Sequence, residues 1–228
     1  MTSFVLKLIA CITMLIDHIT YLWVPVRSNF YLVGRGIGRL AFPIYCFLLV
    51  EGFYHTSNRK KYLLRMLFFA LLSEIPFDFV FNGFPATERL MDSQNVMVTL
   101  FLGLLLLNIY ESLKEQYLTQ PMIFNTLGVI AIVAFTSFAI FVSSDYRHVG
   151  ILFILVFYLF RGKKLWIALG LAAVIIMFSN WIEIFALLAL VPIFFYNGQE
   201  GKKIKYVFYA FYPGHLLVLG LLHSYLGL

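Results

Sequence analysis

The stretch "ITMLIDHI", residues 12–19, lies in the middle of an apolar run near the beginning of the chain. Five of its eight residues are apolar, and Asp17 and His18 stand side by side among them. A charged side chain near the centre of a bilayer costs at least ~2.5 kcal/mol. The stretch therefore predicts a membrane helix. Its polar pair is either neutralised by partner residues or takes part in a chemical reaction.

The composition of the whole chain indicates an integral membrane protein. Of the 228 residues, 62% are hydrophobic and only 12% are charged, and the mean hydropathy is +0.90. A soluble domain carries about 25% charged residues. We therefore predict a single integral membrane domain over 1–228. In such a protein the net charge of +6 bears on orientation in the bilayer, and no nucleic-acid partner is expected.

The apolar runs predict an all-α, polytopic transmembrane helix bundle. A membrane helix needs about 20 apolar residues, and fewer when it is short or re-entrant. About nine segments, within a range of eight to ten, use up the length of the chain. They run over 3–24, 30–54, 62–81, 96–110, 121–142, 148–160, 165–178, 181–196 and 206–226.

The positive charges predict the orientation of the bundle. Three basic loops, at 55–65, 161–164 and 198–205, fall on one side if there are nine segments. With Lys7 and Lys114 they hold twelve of the seventeen Lys and Arg residues, whereas the other side holds Arg27, Arg89 and Arg147. Basic loops stay in the cytoplasm, so the N-terminus is predicted to lie inside.

In this topology, the intramembrane polar residues share one layer in the outer half of the bundle. Asp17 and His18 come from the first segment, and Arg35 and Arg39, one turn apart, come from the second. Glu74 and Asp78 come from the third segment and are again one turn apart. The remaining members are Asn95, Thr99, Asp145, Arg147, His148, Asn180 and Glu183. His215 follows Pro213 and Gly214, where a kink would turn it into the bundle.

Such a layer can serve several purposes. Its ion pairs can simply hold the helices in register. A histidine that takes up a proton beside a carboxylate, with arginines that bind anions, also suits acyl or phosphoryl transfer. The same residues can form the relay of a small proton-coupled transporter. Physical arguments alone do not separate these interpretations. The two cysteines, Cys11 and Cys46, form no CxxC pattern, and no metal site is predicted.

Four blocks of the sequence resemble the TraX family of bacterial polytopic membrane proteins. They are "LKLIACITMLIDHI", "GRLAFPIYCFLLVEGFYHTSNRKKYLLRMLFFALLSEIPFD", "NVMVTLFLGLLLL" and "YVFYAFYPGHLLVL". In plasmid conjugation systems this family is linked to N-terminal acetylation of the pilin subunit. It is also similar to a wider group of membrane acyltransferases that use a histidine near the outer end of an early helix.

The resemblance implies a membrane acyltransferase in the bacterial cytoplasmic membrane, with a non-enzymatic membrane partner of a pilus or secretion complex as an alternative. The acyl donor would be acetyl-CoA, and the acceptor a peptide, lipid or glycan at the outer side of the bilayer. His18 would be the general base, and Asp17 would orient it. The thioester would reach His18 through a channel lined by the first four segments and the last.

The other candidate residues would assist this reaction. Arg35 and Arg39 would hold donor phosphates or the oxyanion, and Glu74 and Asp78 would position the arginines or the acceptor. Further candidates for the substrate site are Asn95, His148 and His215. At the cytoplasmic side, Lys163 and Lys164 would bind the phosphates of coenzyme A.

Overall fold

The computed structural model describes residues 1–81 and 93–227, and the secondary structure in these ranges is helical apart from one isolated bridge between Gln94 and Ser144. The first helices are α1 (Ser3–Trp23), α2 (Asn29–Gly38), α3 (Ala41–His55), α4 (Arg59–Phe81) and α5 (Val96–Gln116). They are followed by α6 (Pro121–Phe141), α7 (Arg147–Leu159) and α8 (Lys164–Phe178). A 3₁₀ helix (Trp181–Ala189) then leads into α9 (Leu190–Phe194), and the last helix is α10 (Lys205–Tyr225). The predicted all-α fold is thus confirmed.

Among the described residues, five helical stretches are long and apolar enough to cross a membrane, namely α1, the α2–α3 pair, α5, α6 and α10. Shorter apolar stretches are formed by α7, by α8 and by the 3₁₀ helix together with α9. The remaining predicted run, 62–81, lies in α4, so each of the nine predicted apolar runs corresponds to helix. The count of nine membrane spans and the inside location of the N-terminus stay predictions.

The second apolar run differs from the prediction of one segment over 30–54, because Arg39 and Leu40 separate α2 from α3. Pro43 lies in the first turn of α3. In a continuous helix the ring of Pro43 would clash with the carbonyl of Arg39, and Pro43 has no backbone N–H to donate. The amide of Leu40 donates to the carbonyl of Ile37 at 3.2 Å, which closes a tighter turn. The break places Arg39 at the junction of two helices.

The centre of the bundle is formed by α7 and α3. Nine of the 13 residues of α7 are buried, as are nine of the 15 residues of α3. A helix that is surrounded by protein is apolar on all sides, which is why α7 shows no polar face. In α6, by contrast, only 11% of the most apolar stretch is buried, so this helix lies at the periphery.

The three basic loops come together at one end of the bundle, called the basic end below. Arg161 Nε donates to Glu51 Oε1 at 2.6 Å, and Lys164 Nζ donates to the carbonyl of Phe194 at 2.9 Å. The first turn of α1 is bonded through its backbone to Gln199. Asp17 lies about 21 Å further along α1 at 1.5 Å per residue, near the opposite end. The predicted opposite-side residue Arg89 lies outside the described residues.

Two glycines of α2 allow it to pack closely against α1. A Cβ atom at Gly34 would lie 2.1 Å from Oγ1 of Thr20, and one at Gly38 would lie 2.1 Å from Oδ1 of Asp17. Neither position has room for a larger residue. Small residues at this spacing let membrane helices approach closely, because without them side chains hold the backbones apart.

Replacement of Gly34 by alanine is expected to destabilise the protein by ~1–3 kcal/mol, because the new methyl group overlaps the buried side chain of Thr20. Thermal unfolding in detergent should show a lower midpoint. The matched control is Gly214→Ala in α10, where nothing lies within 4 Å of the added Cβ. There, alanine should be neutral or slightly stabilising. Equal midpoints for the two variants would contradict the close packing of α1 and α2.

Candidate functional site

Four ionised side chains meet at the end of the bundle opposite the basic end, and we call them the ionised cluster: Asp17, Arg35, Arg39 and Glu183. Arg35 Nη1 donates to Asp17 Oδ2 at 2.7 Å, and Arg39 Nη2 lies 3.4 Å from Asp17 Oδ1. Arg39 Nη1 donates to Glu183 Oε1 at 2.9 Å. Two positive and two negative charges therefore balance.

A strained turn before α7 adds a tyrosine to the ionised cluster. Arg39 Nη1 also donates to the hydroxyl of Tyr146 at 3.2 Å, and the tyrosine ring stacks on Phe42 with centroids 3.8 Å apart. Ser143, Tyr146 and Arg147 have φ values of 50°, 60° and 43°. Non-glycine residues with positive φ are strained and need support from their surroundings. The stack and the hydrogen bond supply that support.

Beside the ionised cluster, the rings of His18 in α1 and His215 in α10 are hydrogen-bonded. His18 Nδ1 lies 2.8 Å from His215 Nε2, and His215 Nδ1 lies 2.7 Å from the carbonyl oxygen of Phe211. His215 is buried, with 8% of its surface exposed. Its predicted position inside the bundle is confirmed.

The predicted partnership between Asp17 and His18 is wrong, because the ring nitrogen of His18 is bonded to His215 and the Asp17 oxygens are bonded to arginines. The reason lies in helix geometry. Residues that are neighbours in sequence point about 100° apart around a helix, so they do not face each other. Asp17 therefore faces α2, whereas His18 faces α10.

A cavity of about 320 Å³, called the cluster cavity, opens beside these residues. Its polar lining includes Asp17, His18, Arg35, Arg39, Asp145 and Tyr146. Six residues were predicted to share such a cavity, and four of them line it. The other two, Glu74 and Asp78, are not among its lining residues.

Asp145 belongs to the loop before α7, and three hydrogen bonds fix the backbone of this loop. The amide of Asp145 donates to the carbonyl of Gln94 at 2.8 Å, the amide of Gln94 donates to the carbonyl of Ser143, and the hydroxyl of Thr99 donates to the Asp145 carbonyl. Asp145 is exposed and lines the cluster cavity, so its carboxyl group is accessible there.

Glu74 was predicted to position the arginines or the acceptor, and it is not hydrogen-bonded to the arginines; a contact with the acceptor stays a prediction. It accepts a hydrogen bond from the side-chain amide of Asn95, which also donates to the carbonyl of Ala70 at 2.9 Å. Asn95 Oδ1 caps the N-terminus of α5 by accepting from Met97 N. Asn95 is fully buried, and Asp78 is 6% exposed. The face of α4 that carries Glu74 therefore packs against α5 and not against α2.

Three other predicted site residues lie away from the cluster cavity. The ring of His148 packs edge-on against Phe178 with centroids 5.6 Å apart. Lys164 lies at the basic end, 5.6 Å above the ring of Phe194, and Lys163 is exposed next to it.

A second cavity, of about 220 Å³, lies towards the basic end and is called the basic cavity. Its charged lining residues are Lys7, Arg65, Glu200 and Lys205. The predicted donor residues Lys163 and Lys164 are not part of its lining. Three cations and one carboxylate leave this cavity with a net positive charge.

Tyr45 lines both cavities. Its hydroxyl lies 3.3 Å from the Sγ atom of Cys11, which holds the ring across the space between α3 and α1. Both cavities are lined by α1, α3, α4, α5 and α10. These helices correspond to the first four and the last of the predicted segments, which were expected to line a channel. The cluster cavity and the basic cavity thus share Tyr45 in their linings, and a continuous channel between them stays a prediction.

The sequence did not bring Lys7, Arg65 and Lys205 together, although it assigned donor binding to another pair of basic residues, Lys163 and Lys164. One signal was available. Lys7 and His18 are eleven residues apart, which is about three full turns, so both lie on the same face of α1. That face lines the basic cavity at one end and the cluster cavity at the other.

Comparisons with known proteins identify relatives of this chain. The family model described as "TraX protein" matches residues 3–223. The "Probable fimbrial assembly protein FimC, serogroup H1" of Dichelobacter nodosus is 33% identical over 239 residues, which cover 96% of this chain and 94% of that protein. No solved structure matches the chain.

Replacement of Arg39 by alanine is expected to lower the free energy of unfolding by ~3–5 kcal/mol, because Glu183 loses its ion-pair partner inside the protein. The double variant Arg39→Ala/Glu183→Gln should recover part of this loss, since no unpaired carboxylate remains at position 183. Arg147→Ala, at the exposed first residue of α7, is the control and should unfold like the wild type. If the double variant is less stable than Arg39→Ala, unpaired charge is not the cause.

Proposed function

This chain belongs to the TraX family, and from that premise and its two cavities we propose that it is a membrane-embedded acyltransferase. It transfers an acetyl group from acetyl-CoA in the cytoplasm to an acceptor at the outer side of a bacterial cytoplasmic membrane. The observation that carries the proposal is the position of Tyr45. This residue lines a basic cavity that suits a phosphorylated donor and also a second cavity that contains a histidine.

The basic cavity is the proposed binding site for the donor. Lys7, Arg65 and Lys205 approach it from α1, α4 and α10. Cationic side chains of this kind bind phosphate through charge-assisted hydrogen bonds. The nucleotide end of coenzyme A would remain at these residues, and its thin acyl-carrying arm would pass Tyr45. This arrangement requires the basic end to face the cytoplasm, which agrees with nine spans and an inside N-terminus under the positive-inside rule.

The cluster cavity is the proposed site of acyl transfer. The acceptor nitrogen or oxygen attacks the thioester carbonyl, and its proton passes to His18. The carbon–sulfur bond then breaks, and the same proton leaves His18 for the thiolate. Arg35 uses one nitrogen on Asp17, and its other N–H groups have no hydrogen-bond partner among the described residues. They are available to stabilise the oxyanion that forms during the attack.

The relative in Dichelobacter nodosus suggests the class of acceptor, because it is named as a fimbrial assembly protein. We therefore favour the N-terminal amine of a pilin-like peptide over a lipid or a glycan. An amine arrives as an ammonium group and releases one proton to water before it attacks, and the second proton passes to His18. Asp145, which lines the cluster cavity, is placed to bind the ammonium form.

The test of this proposal is acetyl transfer by purified protein from labelled acetyl-CoA to a synthetic pilin-type N-terminal peptide. His18→Ala should lower turnover ~10²–10⁴-fold per folded molecule, the usual contribution of general acid–base catalysis. His55→Ala, an exposed histidine at the basic end, is the matched control and should retain activity. Full activity in His18→Ala would rule out this mechanism. Proton-coupled flux through the protein in liposomes, without acetyl transfer, would favour a transporter.

A second experiment distinguishes the basic cavity from the predicted donor residues outside it. The double variant Lys7→Gln/Lys205→Gln should raise the KM for acetyl-CoA about 10-fold or more, since a hydrogen bond to a charged group contributes ~1.5–3 kcal/mol. Its kcat should change little, because neither lysine lines the cluster cavity. Lys163→Gln/Lys164→Gln is matched in charge and should leave the KM unchanged. If instead Lys163→Gln/Lys164→Gln raised the KM and Lys7→Gln/Lys205→Gln did not, Lys163 and Lys164 would be the donor-binding residues.

A further inference from the structure

Two consecutive hydrogen bonds lead from the backbone of α10 to His18. The carbonyl of Phe211 lies 2.7 Å from His215 Nδ1, and His215 Nε2 lies 2.8 Å from His18 Nδ1. Every atom in this path is a ring nitrogen except the first, which is a carbonyl oxygen. A carbonyl oxygen can only accept a hydrogen bond.

That single constraint determines where the protons lie. His215 must donate from Nδ1, so a neutral His215 has no proton on Nε2. Nε2 of His215 therefore accepts, and Nδ1 of His18 is the donor. A neutral His18 then carries no proton on its own Nε2. The hydrogen bond to the Phe211 carbonyl thus selects the tautomer of both rings.

The alternative, a charged His215 that donates from both nitrogens, would reverse the second bond. It requires an imidazolium ion in a buried site between aromatic rings. The ring of Phe211 lies parallel to His215 with centroids 4.7 Å apart, and Tyr212 packs against it edge-on at 5.7 Å. A buried charge without a partner is costly. Among the described residues no carboxylate is hydrogen-bonded to His215, so the neutral ring is favoured.

The geometry of the two rings supports a directed hydrogen bond. Their planes are parallel to within 3° and their centroids are 5.0 Å apart. Atoms of stacked rings cannot approach much closer than roughly 3.5 Å, yet the two nitrogens are 2.8 Å apart. The bond must therefore lie largely within the shared plane of the rings. Phe81 packs edge-on against His18 at 5.4 Å and limits its rotation.

We propose that His215 is a positioning residue that fixes His18 in the Nδ1–H tautomer, so that Nε2 of His18 is the basic atom in the cluster cavity. This inference rests on the proposed role of His18 as general base. Nε2 of His18 has no hydrogen-bond partner among the described residues. The acceptor proton moves to Nε2 and leaves from Nε2, and His215 keeps its own proton throughout. His215 thereby supplies the orientation that the sequence had assigned to Asp17.

The first test reads the tautomer directly and requires no catalysis. The protein is labelled with ¹⁵N at its five histidines, and the ring signals are recorded by NMR in detergent. The signals of His18 are identified by their loss in His18→Gln. We expect the Nδ1–H form in the wild type and in His215→Gln, whose side-chain carbonyl can still accept. In His215→Leu the ring should return towards the Nε2–H form. A wild-type His18 that carries its proton on Nε2, or on both nitrogens, would overturn the proposal.

The second test uses the acetyl-transfer assay on the same variants. His215→Leu should lower kcat roughly 10²- to 10⁴-fold with little change in KM, since holding a catalytic histidine in the wrong tautomer costs up to about 10⁴ in a serine protease. His215→Gln should retain most of the activity. Equal losses in both variants at equal thermal stability would make His215 a packing residue only. If the wild type transfers no acetyl group but shows the Nδ1–H form, the proposed function fails while the tautomer assignment stands.

Discussion

The structure depends on the carboxylate of Asp17, which is held between Arg35 and Arg39. A carboxylate inside an apolar bundle is tolerated only when its charge is neutralised. Neutralisation requires α2 to lie close against α1, and Gly34 and Gly38 make that approach possible. It also requires two arginines to reach one carboxylate, and the helix break at Arg39 frees the second arginine to contact the 3₁₀ helix and the strained turn before α7. One charge thus fixes the arrangement of four elements.

Much of the fold could be predicted from the sequence because apolar runs in a membrane protein leave few alternatives. The break after α2 was missed, although Pro43 provided a signal for it. For the site, the sequence identified which residues share a helix face, as with Arg35 and Arg39. It could not identify the neighbouring helix that a face contacts. Glu74 was therefore assigned to the arginines or the acceptor, whereas its hydrogen-bond partner is Asn95, the N-cap of α5. His18 was assigned to its neighbour in sequence for the same reason.

The two histidines and the ionised cluster have separate roles in this arrangement. Asp17 and Arg39 are paired with each other and hold neighbouring elements together, so they have little freedom to take part in proton transfer. His18 and His215 carry no fixed charge and are bonded to each other and to a backbone carbonyl. Lys7 connects the two regions through α1, because it lies on the same helical face as His18 and near the opposite end. The spacing of eleven residues between Lys7 and His18 was visible in the sequence. Only the positions of the two cavities show that this spacing connects one cavity to the other.

The meeting of both cavities at Tyr45 has an electrical consequence. Wherever water enters a membrane protein from both sides, the transmembrane voltage falls across the thin barrier that remains between the two volumes. Tyr45 lines both cavities, so its ring is part of that barrier, and each elementary charge that crosses the barrier does work of about 2.3 kcal/mol per 100 mV. In the proposed reaction, the uncharged acyl chain and its amide-linked arm would pass the ring without electrical work, whereas a phosphate group would not. The barrier would therefore keep the ionic end of the proposed donor on the side from which it came.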